Sequence, residues 1–170
     1  MSVAFLDVHY EGGTAHAACV VAPSWEAEAP GSCYVSHIGA VQAYQPGSFY
    51  RRELPCLVSV LSLLPSLPEV LVVDGYAWLP PLAQPGLGAR LYEALGRKTP
   101  VVGIAKTAFA EVHRCAAVVP VLRGASRKPL FVTAAGMDPR VAAGCVRRMA
   151  GRHRIPALLQ ITDRLSRNPD

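Results

Sequence analysis

Residues 69–74 read Glu-Val-Leu-Val-Val-Asp (EVLVVD), an aliphatic run closed by Asp74 and followed by Gly75. A strand without polar alternation is buried on both faces, as strands of a parallel sheet covered by helices are. Residues 53–64, just before it, place Leu54, Leu57, Val58, Leu61 and Leu64 at helical spacing. Pro55 then falls in the first turn of that helix, where its missing N–H costs little. Downstream, residues 86–95 predict a second helix, and residues 100–104 and 129–133 predict two more buried strands. Asp138 and Pro139 read as N-cap and first residue of a final helix over 138–149.

Toward the N-terminus the pattern changes. Residues 2–9 and 14–22 are apolar segments around the turn Glu11-Gly12-Gly13, which predicts a hairpin. A loop rich in Pro, Glu and Ala over 23–31 leads to a third short strand over 33–38, and residues 43–48, with Pro46 and Gly47, form another loop. Three antiparallel strands followed by helix and strand in alternation give a mixed α/β sheet flanked by helices. That order fits a ribonuclease H-like fold.

Of the 170 residues, 51% are hydrophobic and 17% charged, which excludes a disordered or collagen-like chain. The length fits a single domain over residues 1–170 with a sizeable core. No apolar run approaches the ~18 residues of a membrane span, and the start MSVAFLDVHYEGG lacks the pattern of a secretory signal. The cysteines (Cys19, Cys33, Cys56, Cys115, Cys145) are odd in number and form no CxxC pair, so they are expected as reduced core residues of a cytoplasmic protein. Lys plus Arg is 17 against 12 for Asp plus Glu, a formal charge of +5, with the basic residues concentrated after Leu79. On charge alone the excess reads as that of an ordinary small basic protein with solvated helices, and it is weak evidence for a polyanionic partner.

Two acids stand out. Asp7 interrupts the first apolar strand and Asp74 ends the central one. A carboxylate buried in a sheet costs several kcal/mol, of order 3–5 when left without a partner, and neither strand carries an adjacent Lys or Arg. If the strands are neighbours, the two carboxylates meet at one edge, and Glu53 at the first helix can join them. Converging carboxylates make a hard-oxygen site suited to Mg²⁺ or Mn²⁺. Each acid taken alone is also an ordinary cap or strand-end residue.

Further residues carry a resemblance. AYQPGSFYRRELP (43–55) resembles the endonuclease V segment that runs Pro-Tyr-x-Pro-Gly, a short spacer, then Phe-Arg-Glu and Pro. DVHY (7–10), LVVDGYAWLPP (71–81), GLGARLYEALG (86–96), PVVGIAK (100–106), KPLFVTAAG (128–136) and RIPALLQITDRLS (154–166) resemble further motifs of that family, in order over nearly the whole chain. The helical extension common before the family's first strand is expected to be absent. The resemblance implies a nuclease, using Mg²⁺ or Mn²⁺, that cuts a phosphodiester near a deaminated base such as hypoxanthine in DNA or RNA. It implies Asp7, Glu53 and Asp74 as catalytic and metal-binding acids and Lys106 as the catalytic basic residue. It also implies that Tyr44, Pro46 and Gly47 form a wedge loop, with Gly75 also at the nucleic acid. Metal hydrolysis needs no protein nucleophile, which agrees with an all-acid set.

The sequence departs from the family at Ala43, Gln45 and Arg51. It has Pro80-Pro81 where the family has His-Pro, and Gly136-Met137 where it has Gly-His. Met cannot coordinate a hard cation, which leaves Asp138 as either a fourth acid or the helix N-cap. His9 shares a strand face with Asp7 and is expected near the cleft; His16 and His37 read as sheet residues, His113 and His153 as surface residues. The alternative to an active nuclease is a nucleic-acid-binding protein of the same fold that has lost efficient catalysis.

Overall fold

The computed structural model describes residues 1–169. Strands β1 (Val3–Glu11), β2 (Thr14–Ala22) and β3 (Ser32–Ile38) are followed by helix α1 (Phe49–Leu61), β4 (Val70–Asp74) and a small hairpin, β5 (Trp78–Leu79) with β6 (Gln84–Pro85). Then come α2 (Leu87–Ala94), β7 (Val101–Ala105), β8 (Val119–Val121), β9 (Leu130–Ala135), α3 (Pro139–Arg148) and α4 (Ala157–Arg167). Seven strands form one sheet in the order β3-β2-β1-β4-β7-β9-β8. The mixed α/β class expected from the sequence is the class observed.

The run at 70–73 takes the central place that its composition requires. β4 lies between β1 and β7 and is parallel to both. Its side chains alternate between two cores. Val70 and Val72 join Phe5, Ile104, Val132, Val146 and Leu158 under α3 and α4. Leu71 and Val73 join Leu6, Leu57, Val60 and Leu91 under α1 and α2.

Several boundaries differ from expectation. α1 starts at Phe49, directly after the turn in which Ser48 N–H donates to Gln45 O, so Pro55 sits inside the helix. The interruption is tolerated because only one intrahelical bond, to Arg51 O, is lost. β9 pairs antiparallel with both β7 and β8. β8 therefore runs in the same direction as β7, and β9 returns between them, reached from β8 by a short connection of the kind that joins antiparallel neighbours. α3 is not the final helix: α4 follows and packs on β1 and β2. All five cysteines are free, but Cys33 is exposed and not a core residue. Among the described residues no helix is long and apolar enough to cross a membrane.

One glycine shapes the region beyond Asp74. The chain folds back over β7 there, and a Cβ on Gly103 would lie 2.4 Å from Ala77 N and 2.6 Å from Gly75 O. Ala77 N–H donates to Thr133 Oγ1 at 2.7 Å, fixing the crossing from the other side. Gly103→Ala should therefore cost about 1–3 kcal/mol and lower the melting temperature by roughly 3–10 °C. Gly144→Ala, in α3 with only the Arg148 side chain at 3.6 Å, should be neutral or stabilising by up to about 1 kcal/mol. Thermal melts of the two variants check the contrast; equal melting temperatures would contradict it.

Candidate active site

Strand register builds the site. β1 pairs with β4 at Phe5–Val72 and Leu6–Val73, so the next step sets Asp7 beside Asp74. Both point to the α3/α4 face, by the alternation that buries Phe5 and Val72 there. Asp74 is paired in turn with Ile104 of β7, and Lys106 lies two residues further along the same face. Its Nζ stands 2.6 Å from Asp74 Oδ2. This corrects the expectation of acids without a basic partner: the partner comes from the neighbouring strand, not the acid's own. Both side chains are about 40% exposed, at 40% and 38%, so the pair contributes little stability. Arg154 holds the Lys106 backbone by donating to its carbonyl, and also to Pro129 O at 2.9 Å and Lys128 O at 3.0 Å.

Glu53 reaches the same end of the sheet from α1 and is only 5% exposed. Its Oε2 is buried without a hydrogen-bond partner. Neighbouring Arg52 does not hold it by a hydrogen bond; its guanidinium carbon lies 3.8 Å from the Tyr10 ring centroid.

α4 adds residues that were not singled out from the sequence. Ser166 Oγ donates to Asp7 Oδ2 at 2.6 Å. Asp163, one turn earlier, lines a recess of about 20 Å³ together with Asp7, Asp74, Lys106 and Thr162. That is room for one water molecule or one cation. The α4 signal was present in the spacing of Leu158, Ile161 and Leu165. It was masked because Thr162 and Ser166, both fully buried, occupy core positions as polar residues; Thr162 is satisfied by donating to Leu158 O at 2.7 Å.

Met137 and Asp138 lie elsewhere. β9 pairs Phe131 with Ala105 and Ala135 with Val101, so the segment after Ala135 is at the opposite end of the sheet from Asp74 and Lys106. Met137 packs on the α3/α4 core, and Asp138 is the α3 N-cap, accepting from Arg140 N–H at 2.8 Å. Neither belongs to the acid site, so the methionine that departs from the family motif removes nothing from it. His9 pairs with His16 and His16 with His37 across β1, β2 and β3; the last two rings are 4.8 Å apart. Among the described residues no three His, Cys, Asp or Glu side chains are gathered closely enough to hold a metal ion.

Beside the recess a cleft of about 380 Å³ opens, lined by Asp74, Gly75, Gly47 and the aromatic rings of Phe49, Tyr50, Tyr76 and Phe109. Gly75 has φ +117°, a conformation that side chains resist. Tyr44 and Pro46 lie on the exposed loop before α1, Tyr44 with 58% of its surface free.

The endonuclease V family model matches residues 1–164. The chain belongs to the endonuclease V family. That makes it a member of a nuclease family. The solved structures it resembles include endonuclease V from Streptomyces avermitilis, 25% identical, with a TM-score of 0.77 over 99% of this chain and 81% of that one. Another is Ciona intestinalis endonuclease V in complex with a 24mer DNA containing an inosine followed by a ribo-adenosine. It is 18% identical, with a TM-score of 0.81 over 99% and 84% of the two chains. Human endonuclease V is 21% identical, with a TM-score of 0.74 over 99% and 83%. The latter two show the shared fold. No match is found among curated proteins.

In this endonuclease V chain the acids sit under mutual strain. Burial, then the charges of Asp7 and Asp74, push the Glu53 carboxyl up to about 8, with Arg52 opposing. Asp7 is also raised, first by burial and further by Asp74 and Asp163, while the Ser166 hydrogen bond pulls it down. The sign for Glu53 follows. Below its ordinary 4.5 it is neutral in both folded and unfolded chains. Between 4.5 and about 8 only the unfolded chain ionises, so folding stability falls as pH rises through that window. Glu53→Gln should therefore stabilise the metal-free protein at about pH 8, by an amount on the order of a few kcal/mol, and change little near pH 4. Denaturant unfolding in EDTA at both pH values measures this; a pH-independent difference would refute it.

Proposed function

We propose that this single-domain chain is a divalent-metal-dependent endonuclease that hydrolyses a phosphodiester beside a deaminated base, hypoxanthine, in DNA or RNA. One observation carries the reading: Asp74 lines both the ion-sized recess and the aromatic cleft. A base turned out of its stack into the cleft brings its own backbone over the carboxylates. Cleft volume and flat aromatic walls suit such a base. The inosine-containing DNA held by the Ciona relative supports the choice of substrate.

The donor set fits a hard cation. Asp7, Asp74 and Asp163 line the recess with room for one ion, and Glu53 Oε2 lies buried without a partner at the same end of the sheet, so the side chains would have to draw closer around a bound cation. Asp7, Glu53 and Asp74 would hold Mg²⁺ or Mn²⁺, with Asp163 as a fourth acid. Bound there, the cation would supply an activated water and stabilise charge on the phosphate. The chain's own residues do the rest. Ser166 fixes the orientation of Asp7. Lys106 moves its three N–H donors from Asp74 to a phosphate oxygen when a strand arrives. Tyr44, on its exposed loop with Pro46 and Gly47, fills the gap left by the displaced base. Five unpaired thiols fit a reducing cytoplasm.

The second reading, binding without cleavage, has one observation on its side: Lys106 occupies Asp74 at 2.6 Å. Single strands carrying one inosine, as DNA and as RNA, separate the two. With Mg²⁺ or Mn²⁺ the protein should cut them, and EDTA should stop it; preferential binding without cutting would favour the second reading. Asp74→Asn should abolish cutting and leave binding largely intact. Tyr44→Ala should lower the preference for inosine over adenosine by about 1–3 kcal/mol, the worth of one base–aromatic stack. An unchanged preference would remove the wedge role.

A further inference from the structure

Arg90 is the charged group of the cleft that this chemistry leaves unused. It projects from α2 toward α1, where its guanidinium carbon stands 3.9 Å from the centroid of the Tyr50 ring. Both residues line the cleft with Asp74 and Gly75. The aromatic face fixes the cation without satisfying its N–H groups. Arg90 Nε is buried and has no hydrogen-bond partner. Among the described residues Arg90 takes part in no ion pair. Of the other polar side chains lining the cleft, Asp74 is engaged by Lys106 and the Tyr76 hydroxyl by Thr107 O and Phe109 N–H, while Gln84 sits on the exposed rim. A buried donor without an acceptor is costly, and a ligand acceptor removes the cost.

A guanidinium has five donors and no acceptor, so the group it takes must present acceptors. A 6-oxopurine offers two side by side, O6 and N7, at the spacing a guanidinium meets with two hydrogen bonds. Adenine keeps N7 but puts an amino donor in place of O6, so donor faces donor. The flat aromatic walls around Arg90 suit a ring better than a phosphate. We propose that Arg90 is a specificity-determining residue that reads O6 and N7 of the base in the cleft, selecting 6-oxopurines over adenine. The inference rests on the reading of this cleft as the base pocket. It does not separate hypoxanthine from guanine, which share O6 and N7.

The test uses single strands identical except for one base: hypoxanthine, 7-deazahypoxanthine or adenine. Binding and Mg²⁺-dependent cutting are measured for the parent and for Arg90→Met, whose unbranched side chain keeps contact with Tyr50. The parent should lose about tenfold on removal of N7, the scale of one good base contact. In Arg90→Met that loss should vanish, and the preference for hypoxanthine over adenine should fall about tenfold. A parent that prefers hypoxanthine but ignores the loss of N7 overturns the role of Arg90 alone, whether or not the variant folds. So does a variant that keeps both preferences, or one weakened equally on all three strands, the signature of a phosphate contact. A parent with no preference for hypoxanthine in binding or cutting overturns the proposed function and this inference together.

Discussion

The parallel pairing of β1 with β4 sets two carboxylates side by side at the ends of buried strands. Like charges so placed repel, and burial adds to the cost. A chain selected for stability alone would have an aliphatic residue or a serine at one of these positions. The surroundings offset part of the conflict: Ser166 donates to Asp7, and Lys106 faces Asp74. Glu53, buried with a free oxygen, sharpens it. Local rules broken together at one end of a sheet mark a place where the fold serves something besides itself.

Asp7 and Asp74 were legible in the sequence for that reason, each a lone acid in an aliphatic run. The central strand was legible because only a doubly covered strand tolerates four consecutive aliphatic residues. Asp163 was not. It lies in a stretch whose charges look like an exposed helix, and it does pair with Arg167 at 3.1 Å on that surface. Motif order also says nothing about which end of a strand a loop occupies. Met137 looked like a loss at the site until the antiparallel register of β9 placed it at the far end.

Distance in sequence and distance in the site are unrelated here, and two arginines show how the chain manages that. Arg154 gathers carbonyls at 106, 128 and 129. Arg123, only 6% exposed, donates to carbonyls of Met149, Gly151 and His153. Between them they fasten the turn that aims α4 at β1. Bonds from charged donors to carbonyls are worth more than neutral ones, and they hold the backbone whatever side chains the turn carries.

The hydrogen bond from Ser166 to Asp7 spans 159 residues. It joins β1 to α4, so that helix is held at the acids by tertiary packing and not by its place in the sequence. Asp163 shares that helix and lines the recess beside Asp7 and Asp74. Any change that lifts α4 from β1 therefore strips Ser166 and Asp163 from the recess together, which ties the geometry of the acids to the docking of a single helix.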